Sequence, residues 1–364
     1  MPSSISKSRA TPSSTSFSPS RRSEPASAFR YHAIVVGGAL GLLLIVAAAL
    51  ALGPYHIAAR DLLAFLVAKA TGATSPLPLP VETVILQIRL PRVLAALTVG
   101  AALAASGAAY QSLFRNPLVS PDILGVSAGA AFGAVVGIFL SLSVLGIEAA
   151  SFVGGLAAVA IVYGIAAAIR GRDAVLVLVL AGVVIGALFG AGVGLLKYLA
   201  DPYNQLPAIT FWLLGSLTAT NPRDLTSLAP AVVIGLIPLG LLRWQIDVMT
   251  LGEEEATALG LDTRMLRIVV IAAATLMTSA AVAASGIIGW VGLVVPHLAR
   301  LVVGPAFVRL LPVSVLLGAG YLLAVDTAAR TIGAVELPLG VLTAAFGTPV
   351  FLWLLAFSRR PAWS

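Results

Sequence analysis

Arg89 and Arg92 bracket a proline at the start of "RLPRVLAALTVGAALAASGAAYQSL", an apolar run long enough to cross a membrane. A guanidinium is suited to gripping a carboxylate, because its planar fork offers two parallel N–H donors. Pro91 fits the first turn of a helix, where a missing N–H costs nothing. A second charged stretch, "RWQIDVMTLGEEEATALGLDTRMLR", runs from Arg243 to Arg267 and is too polar to enter lipid. Within it Glu253, Glu254 and Glu255 suit the amino end of a short helix and Gly260 its carboxyl end, while Ala256 and Leu259 stand three residues apart as a small apolar face. That is the outline of an amphipathic helix pressed on a soluble partner; the plainer alternative is a solvated loop. Other chemistry is thinly supplied. The chain has no cysteine, which removes disulfides and thiolate catalysis, and His32, His56 and His297 stand far apart with no metal-ligand spacing. Ser106, Ser127 and Ser285 lie near glycines but no histidine is spaced to activate them, so helix packing explains them better than nucleophilic catalysis. No GxxxxGK[ST] loop is present to cradle a nucleotide phosphate, so any ATP hydrolysis belongs to a separate polypeptide. No catalytic residue, no metal site and no permanently bound cofactor are expected.

The elements that position these residues are membrane helices. Of 364 residues 59% are hydrophobic and 10% charged, and mean hydropathy is +1.03, against roughly 25% charged in soluble domains. The 35 glycines, with abundant alanine, favour close backbone approach in a tight bundle. Residues 1–32 are Ser-, Pro- and Thr-rich and are expected to form a disordered cytoplasmic tail, with a second tail over 359–364. Between them a domain over 33–358 divides into ten apolar runs, at 33–53, 92–112, 122–143, 148–169, 174–197, 226–243, 266–285, 287–303, 310–328 and 339–357. The glycines from Gly286 to Gly292 predict a broken or short span there. With the amino terminus inside, 15 of the 22 Lys and Arg fall on the cytoplasmic side and 7 outside, which places both termini in the cytoplasm.

That orientation puts Arg89, Arg92 and Arg330 together on the outer face. Snorkelling to headgroups accounts for one such residue, whereas three make a docking surface for an acidic partner. "FRNPLVSPDILG" forms the cytoplasmic turn between spans two and three, an Asn-Pro turn followed by a Ser-Pro-Asp helix start. "AASG" recurs at Ala104 to Gly107 and Ala283 to Gly286 in spans of opposite direction, a weak sign of an inverted repeat. Phe211 and Trp212 could stack on a flat ligand or simply mark the membrane interface, and His297 is expected to be structural. A secondary transporter would hold ionisable groups at mid-membrane for ion coupling; here they fall near ends and loops, with Asp326 the doubtful case.

"RLPRVLAALTVGAALAASGAAYQSLFRNPLVSPDILGVSAGAA", "ITFWLLGSL", "GEEEATALGLDTRMLR", "SGIIGWVGLVVPHLARLVVG" and "ELPLGVLTAAFGTPVFLWLL" resemble, in order and over almost the whole chain, the FecCD family of ABC-importer permeases for ferric siderophores, haem and vitamin B12. The resemblance implies an all-α polytopic membrane protein of the type II ABC importer kind, with about ten transmembrane helices per subunit. It further implies a homodimer or a pseudo-symmetric pair of such subunits with the substrate route at the dimer interface, two cytoplasmic ATPase subunits that carry the ATP, a periplasmic binding protein and the bacterial inner membrane, with no nucleic acid. On this family's pattern Arg89, Arg92 and Arg330 meet the binding protein. Gly252, Glu253, Ala256, Leu259 and Gly260, within coupling helices over 244–265, seat in the ATPase, with shape fitting expected to outweigh charge. Asn116 and Leu118 lie where the cytoplasmic gate closes. Ferric siderophore and haem rank equally as cargo, with cobalamin third.

Overall fold

A computed structural model describes residues 24–53, 55, 57–169 and 174–357. Every regular element among them is helical: α1 (Glu24–Ala51), α2 (Ala59–Thr71), α3 (Leu79–Thr83), α4 (Leu90–Leu113), α5 (Val126–Phe139), α6 (Val144–Ala168), α7 (Ala174–Leu199), α8 (Gln205–Leu213), α9 (Pro222–Leu241), α10 (Arg243–Met249), α11 (Glu253–Ala258), α12 (Thr263–Ser285), α13 (Val291–Val303), α14 (Phe307–Ala329) and α15 (Leu339–Phe357). Seven helical stretches are long and apolar enough to cross a membrane, and Val126–Phe139, Val291–Val303 and Leu339–Leu354 are shorter apolar helices. Together these occupy the positions of the ten expected spans.

Three boundaries depart from expectation. The tail expected over 1–32 gives way at Glu24, where α1 begins; residues 1–23 and the expected tail over 359–364 lie outside the described residues. The second span does not start at Arg92. A π-helical turn over Val84–Arg89 joins α3 to α4, so one helical run extends from Leu79 to Leu113. Pro91 sits in that run without breaking it, because the wider turn just before it loosens the i→i−4 ladder that a proline disrupts. Finally, the third and eighth spans shrink to the 14 residues of α5 and the 13 of α13. At about 1.5 Å rise per residue, each is near 20 Å long and falls short of a bilayer's hydrocarbon core.

The core is organised around α4, whose residues from Val99 to Leu113 are all buried, against α9, α12, α13 and α14. Small side chains make this packing close. A Cβ on Gly107 would fall 1.9 Å from the Gly292 carbonyl oxygen, so α4 and α13 touch backbone to backbone. In contrast, α7 and α15 pack on fewer neighbours and leave Leu180, Val184, Leu188, Val341 and Leu352 exposed. In a lipid-embedded chain such faces are ordinary rather than an unburied core.

The two short spans have one cause. After α4 ends, residues 114–125 turn back up the bundle, reaching a 3₁₀ turn at Pro121–Leu124 before α5 starts. Pro121 lies against Gly292, which itself abuts the Leu103 carbonyl midway along α4, and the Ile123 carbonyl lies on Gly182 of α7. On the other side residues 286–290 are non-helical between α12 and α13. The expected break at Gly286 to Gly292 is therefore present, matched by a second break approaching from the opposite side.

Candidate functional site

At the outer end of the bundle the structure gathers all three arginines singled out by sequence, and it buries them. Arg89 is 4%, Arg92 8% and Arg330 6% exposed. Arg92 donates from Nε to both Asp326 oxygens, at 2.9 and 3.2 Å, and from Nη1 to Glu336 at 3.0 Å. The Thr218 hydroxyl donates to the other Glu336 oxygen at 2.6 Å. Arg330 reaches Asp326 at 3.5 Å, one helical turn away, and donates to the carbonyls of Ala49 at 2.6 Å and Leu52 at 3.1 Å. Arg89 donates to the carbonyls of Leu50, Ala51 and Tyr55. Two guanidinia thus cap the carboxyl end of α1, satisfying carbonyls that a helix leaves without intrahelical partners and opposing the negative end of its dipole. Gly53, beside this cap, has a φ of +152°, a backbone conformation that L side chains rarely adopt.

The expectation of three arginines presented on an outer surface is therefore corrected on exposure. The sequence reading began the span at Arg92, but the helical run extends outward to Leu79, so Arg89 and Arg92 lie within it rather than at its entrance, and their partners with those of Arg330 are the carboxyl end of α1, Asp326 and Glu336. Among the described residues the exposed outer cations are instead Arg60, Lys69 and Arg223, with Lys69 paired to Glu82 at 2.6 Å. Asp326 and Glu336 complete the cluster; sequence reasoning missed Glu336 and named Asp326 only as an ionisable group that could fall at mid-membrane, without its arginine partners. The Asp326–Arg330 spacing of four was the legible signal. Burial pushes the Glu336 carboxyl up, but the Thr218 hydroxyl and the Arg92 charge more than reverse this, holding it below the usual glutamate range. Burial holds Arg330 below the usual arginine range, only partly offset by Asp326.

At the cytoplasmic end α10 and α11 form the expected short helices. Gly252 takes a φ of +145° and Gly260 one of +85°, which explains glycine at both. Ala256 and Leu259 do not share a free face. Ala256 is 0% exposed, packed within this chain, whereas Leu259 is 61% exposed beside Leu251 at 62%. Glu253 is held by Arg267 at 2.7 Å and by the Thr263 hydroxyl at 3.3 Å. The surface left for a partner is Leu251, Leu259 and Gly260, flanked by exposed Glu254 and Glu255. Asp247 of α10, not singled out by sequence, accepts hydrogen bonds from the backbone N–H groups of Phe307 and Val308 at the start of α14.

Asn116 and Leu118 are both exposed beyond the cytoplasmic end of α4, the Asn116 side chain accepting from the Leu118 N–H at 2.9 Å. The Asn-Pro turn is thus as read. His297 is buried in α13, and no group of three or more metal-ligating side chains occurs among the described residues. Phe211 and Trp212 line an outer cleft of about 400 Å³ with Glu148 and Ser285. Asp122, read from sequence only as part of a helix start, lies instead at mid-bundle depth on the Pro121–Leu124 turn.

Comparison with known proteins fits this architecture. The FecCD transport family matches residues 41–357. The permease protein MolB of the molybdate import system of Haemophilus influenzae is 40% identical over 323 residues, covering 88% of this chain and 94% of that protein. The permease protein HmuU of the hemin transport system of Yersinia pestis is 40% identical over 329 residues, covering 88% and 96%. A solved structure of a metal-chelate type ABC transporter in an inward-facing conformation is 37% identical, with a TM-score of 0.80, and covers 89% of this chain and 98% of its own.

Proposed function

The chain belongs to the FecCD transport family, and from that membership we propose that it is the permease of an ATP-driven importer of metal chelates, working as a homodimer in the bacterial inner membrane. It is a transport permease and not an enzyme, as its relatives are. ATP hydrolysis falls to two cytoplasmic ATPase subunits, and a periplasmic binding protein delivers the cargo, an iron chelate or haem before cobalamin. The observation that carries the reading is the match over residues 41–357 together with a solved chelate-type transporter alike along almost its full length.

Coupling is assigned to the α10–α11 surface. Leu251, Leu259 and Gly260 offer the ATPase a contact, Gly252 and Ala256 shape the helix behind it, and Glu253 ties it to α12 through Arg267. Asp247 then joins this unit to the first turn of α14, whose 23 residues carry any displacement about 35 Å to the outer cluster. A lever transmits only what it binds differently in two states, so the ATPase must hold this surface differently with and without ATP. Asn116 and Leu118 close the cytoplasmic mouth as gate residues. Arg89, Arg92 and Arg330 serve docking by fixing the shape of the outer surface on which the binding protein lands, and direct charge contact passes to Arg60 and Arg223.

The test is ATP-dependent uptake of ferric siderophore, haem and cobalamin into liposomes holding the permease with its ATPase and binding protein. Arg60→Glu with Arg223→Glu lowers uptake about tenfold without changing thermal stability, as expected for charges that steer association. Uptake that proceeds without ATP or without the binding protein would refute the importer reading; uptake indifferent to both reversals would refute the docking assignment alone.

A further inference from the structure

The outer cluster is covered on one side by a strap, residues 331–338 between α14 and α15, which is tied at both ends. Thr331 and Ile332 donate backbone hydrogen bonds to the Ala328 carbonyl at 3.1 and 3.0 Å, and Leu337 donates to that of Ala329 at 3.1 Å. Leu339 and Gly340 donate to the carbonyls of Gly215 and Leu214, just after α8, at 2.9 and 3.0 Å. Between these anchors residues 333–336 make no backbone–backbone hydrogen bond among the described residues. What fastens them is the Glu336 side chain, which accepts from Arg92 at 3.0 Å and from the Thr218 hydroxyl at 2.6 Å. A segment with so few backbone bonds opens at the low end of a protein's range of local stabilities, so this one side chain decides whether the strap stays down.

The two sides of the strap differ. Inward, Glu336 is the one charged side chain of residues 331–338. Burial opposes its charge, but the Thr218 hydroxyl and Arg92 more than offset this, so it is ionised at pH 7. Outward, Ile332 is 65% and Val335 78% exposed, with Leu337 exposed beside them. The strap begins where α14 ends, at the outer end of the bundle, and shows that side apolar groups without a charge. Apolar side chains grouped on a surface segment mark a protein contact, and such contacts have an apolar centre with charges at the rim. The exposed cations Arg60 and Arg223 supply charge elsewhere on the same outer end.

We propose that this strap is the apolar contact on which the periplasmic binding protein lands, and that seating Ile332 and Val335 lifts Glu336 off Arg92 and Thr218, so that docking opens an internal clasp. This rests on the importer reading above. Val335 directly precedes Glu336, so drawing one outward moves the other. With the clasp open, the side-chain tie from α4 to the segment after α8 and to the approach of α15 is gone, while Arg92 keeps Asp326 of α14 as its acid partner. Docking on the outer face thereby changes what holds the outer ends of α8 and α15.

A clasp that docking must open subtracts from affinity, because only the opened fraction binds. Weakening it should therefore tighten the complex, the opposite of what losing an ordinary contact does. The measurement is the Kd of the binding protein used for uptake on the permease with its ATPase in nanodiscs at pH 7. Glu336→Gln replaces a charged acceptor by a neutral one, and Thr218→Val removes a donor; each should lower Kd about threefold. Locking the clasp should do the reverse. Thr218→Cys with Glu336→Cys, in a chain that has no other thiol, bridged by a short bis-methanethiosulfonate, should raise Kd at least about tenfold, and reductant should restore it. Ile332→Asp with Val335→Asp should also raise Kd about tenfold or more while leaving the unfolding midpoint in place, since both side chains are exposed. Unchanged or weaker binding in Glu336→Gln and Thr218→Val overturns the clasp, and Thr218→Val decides where Glu336→Gln does not assemble. Full affinity in the double aspartate variant overturns the landing surface, as it does if that variant instead splits the homodimer and so marks the strap as a contact between subunits. Absence of any binding to the parent complex strikes at the importer reading itself; every other outcome is read against a parent that binds.

Discussion

At its outer end α14 carries Asp326, fully buried between Arg92 and Arg330, whereas at its cytoplasmic end Asp247 of α10 accepts from the helix's first two backbone N–H groups. Each end is held by a carboxylate, but the two do different work. The outer one sits in a network of five charged side chains, with Arg89 and Glu336, that ties α1, α4, α14 and the segment before α15 together. The cytoplasmic one is a single cap joining one short helix to one long one. A network of buried charges strongly resists being broken at any member, because the rest are left uncompensated away from water; a cap gives way for much less. The outer end is built as a fixed frame, the cytoplasmic end as a joint.

The largest expected effect tests the frame. Asp326→Ala leaves Arg92 and Arg330 facing each other without their shared acid and should cost about 3–5 kcal/mol, the range for breaking a buried pair from one side. Thermal unfolding in nanodiscs reads this as a large fall in midpoint. Replacing Arg92 and Asp326 together by leucines should recover part of the loss, since two apolar residues leave fewer stranded charges. A single-site loss no larger than that of an exposed substitution would mean the cluster is not a frame.

The next effects separate two residues that sequence had placed on one face. Ala256→Leu forces three extra carbons into a site with no exposure and should destabilise by about 1–3 kcal/mol. Leu259→Glu, on a side chain 61% exposed, should leave the unfolding midpoint in place and instead weaken co-purification of the ATPase. The reverse pattern would return Ala256 to the contact surface. At the joint, Asp247→Ala strands two amide donors at a helix start and should cost about 1–2 kcal/mol, while lowering cargo moved per ATP hydrolysed; Asp247→Asn, which keeps an acceptor, should retain most of both.

How much of this was legible in sequence divides along the same line. Apolar runs of membrane length gave the spans, because lipid forces every backbone group to be satisfied within its own helix. The breaks at Gly286 to Gly292 were legible from glycine, yet the matching break before α5 was not. "FRNPLVSPDILG" has the local chemistry of a surface turn, and nothing local states that the turn climbs to mid-depth. Arg89, Arg92 and Arg330 were legible as one group from orientation alone. Their burial was not, because it depends on where the helix before Arg92 begins, and the stretch from Pro76 to Glu82, with its three prolines and one acid, has the composition of an outer loop. Ala256 and Leu259 show the same limit: i, i+3 spacing predicts a shared face only on a helix long enough to have one, and α11 ends at Ala258.

The smallest effect sharpens the contrast at the edge of the frame. Glu336 is the partly exposed member, its side chain 35% accessible, bonded to Thr218 and Arg92. Its carboxyl titrates below the ordinary glutamate range, so the native state binds its proton less readily than the unfolded chain does. The stabilisation is then fully present above the unfolded value of about 4.3 and is lost as pH falls through the lower native value. Solvent screening limits it to about 1 kcal/mol or less. Glu336→Gln should therefore unfold slightly earlier than the parent protein at pH 7, and the two curves should converge as the pH drops below about 4. Asp326→Ala, by contrast, should remain far below the parent at pH 7 whatever the residue at 336, because its loss strands arginines that do not titrate in that range. Convergence for Glu336 with persistence for Asp326 places the boundary of the rigid frame between these two acids; a Glu336 loss as large as that of Asp326 would extend the frame out to the loop before α15.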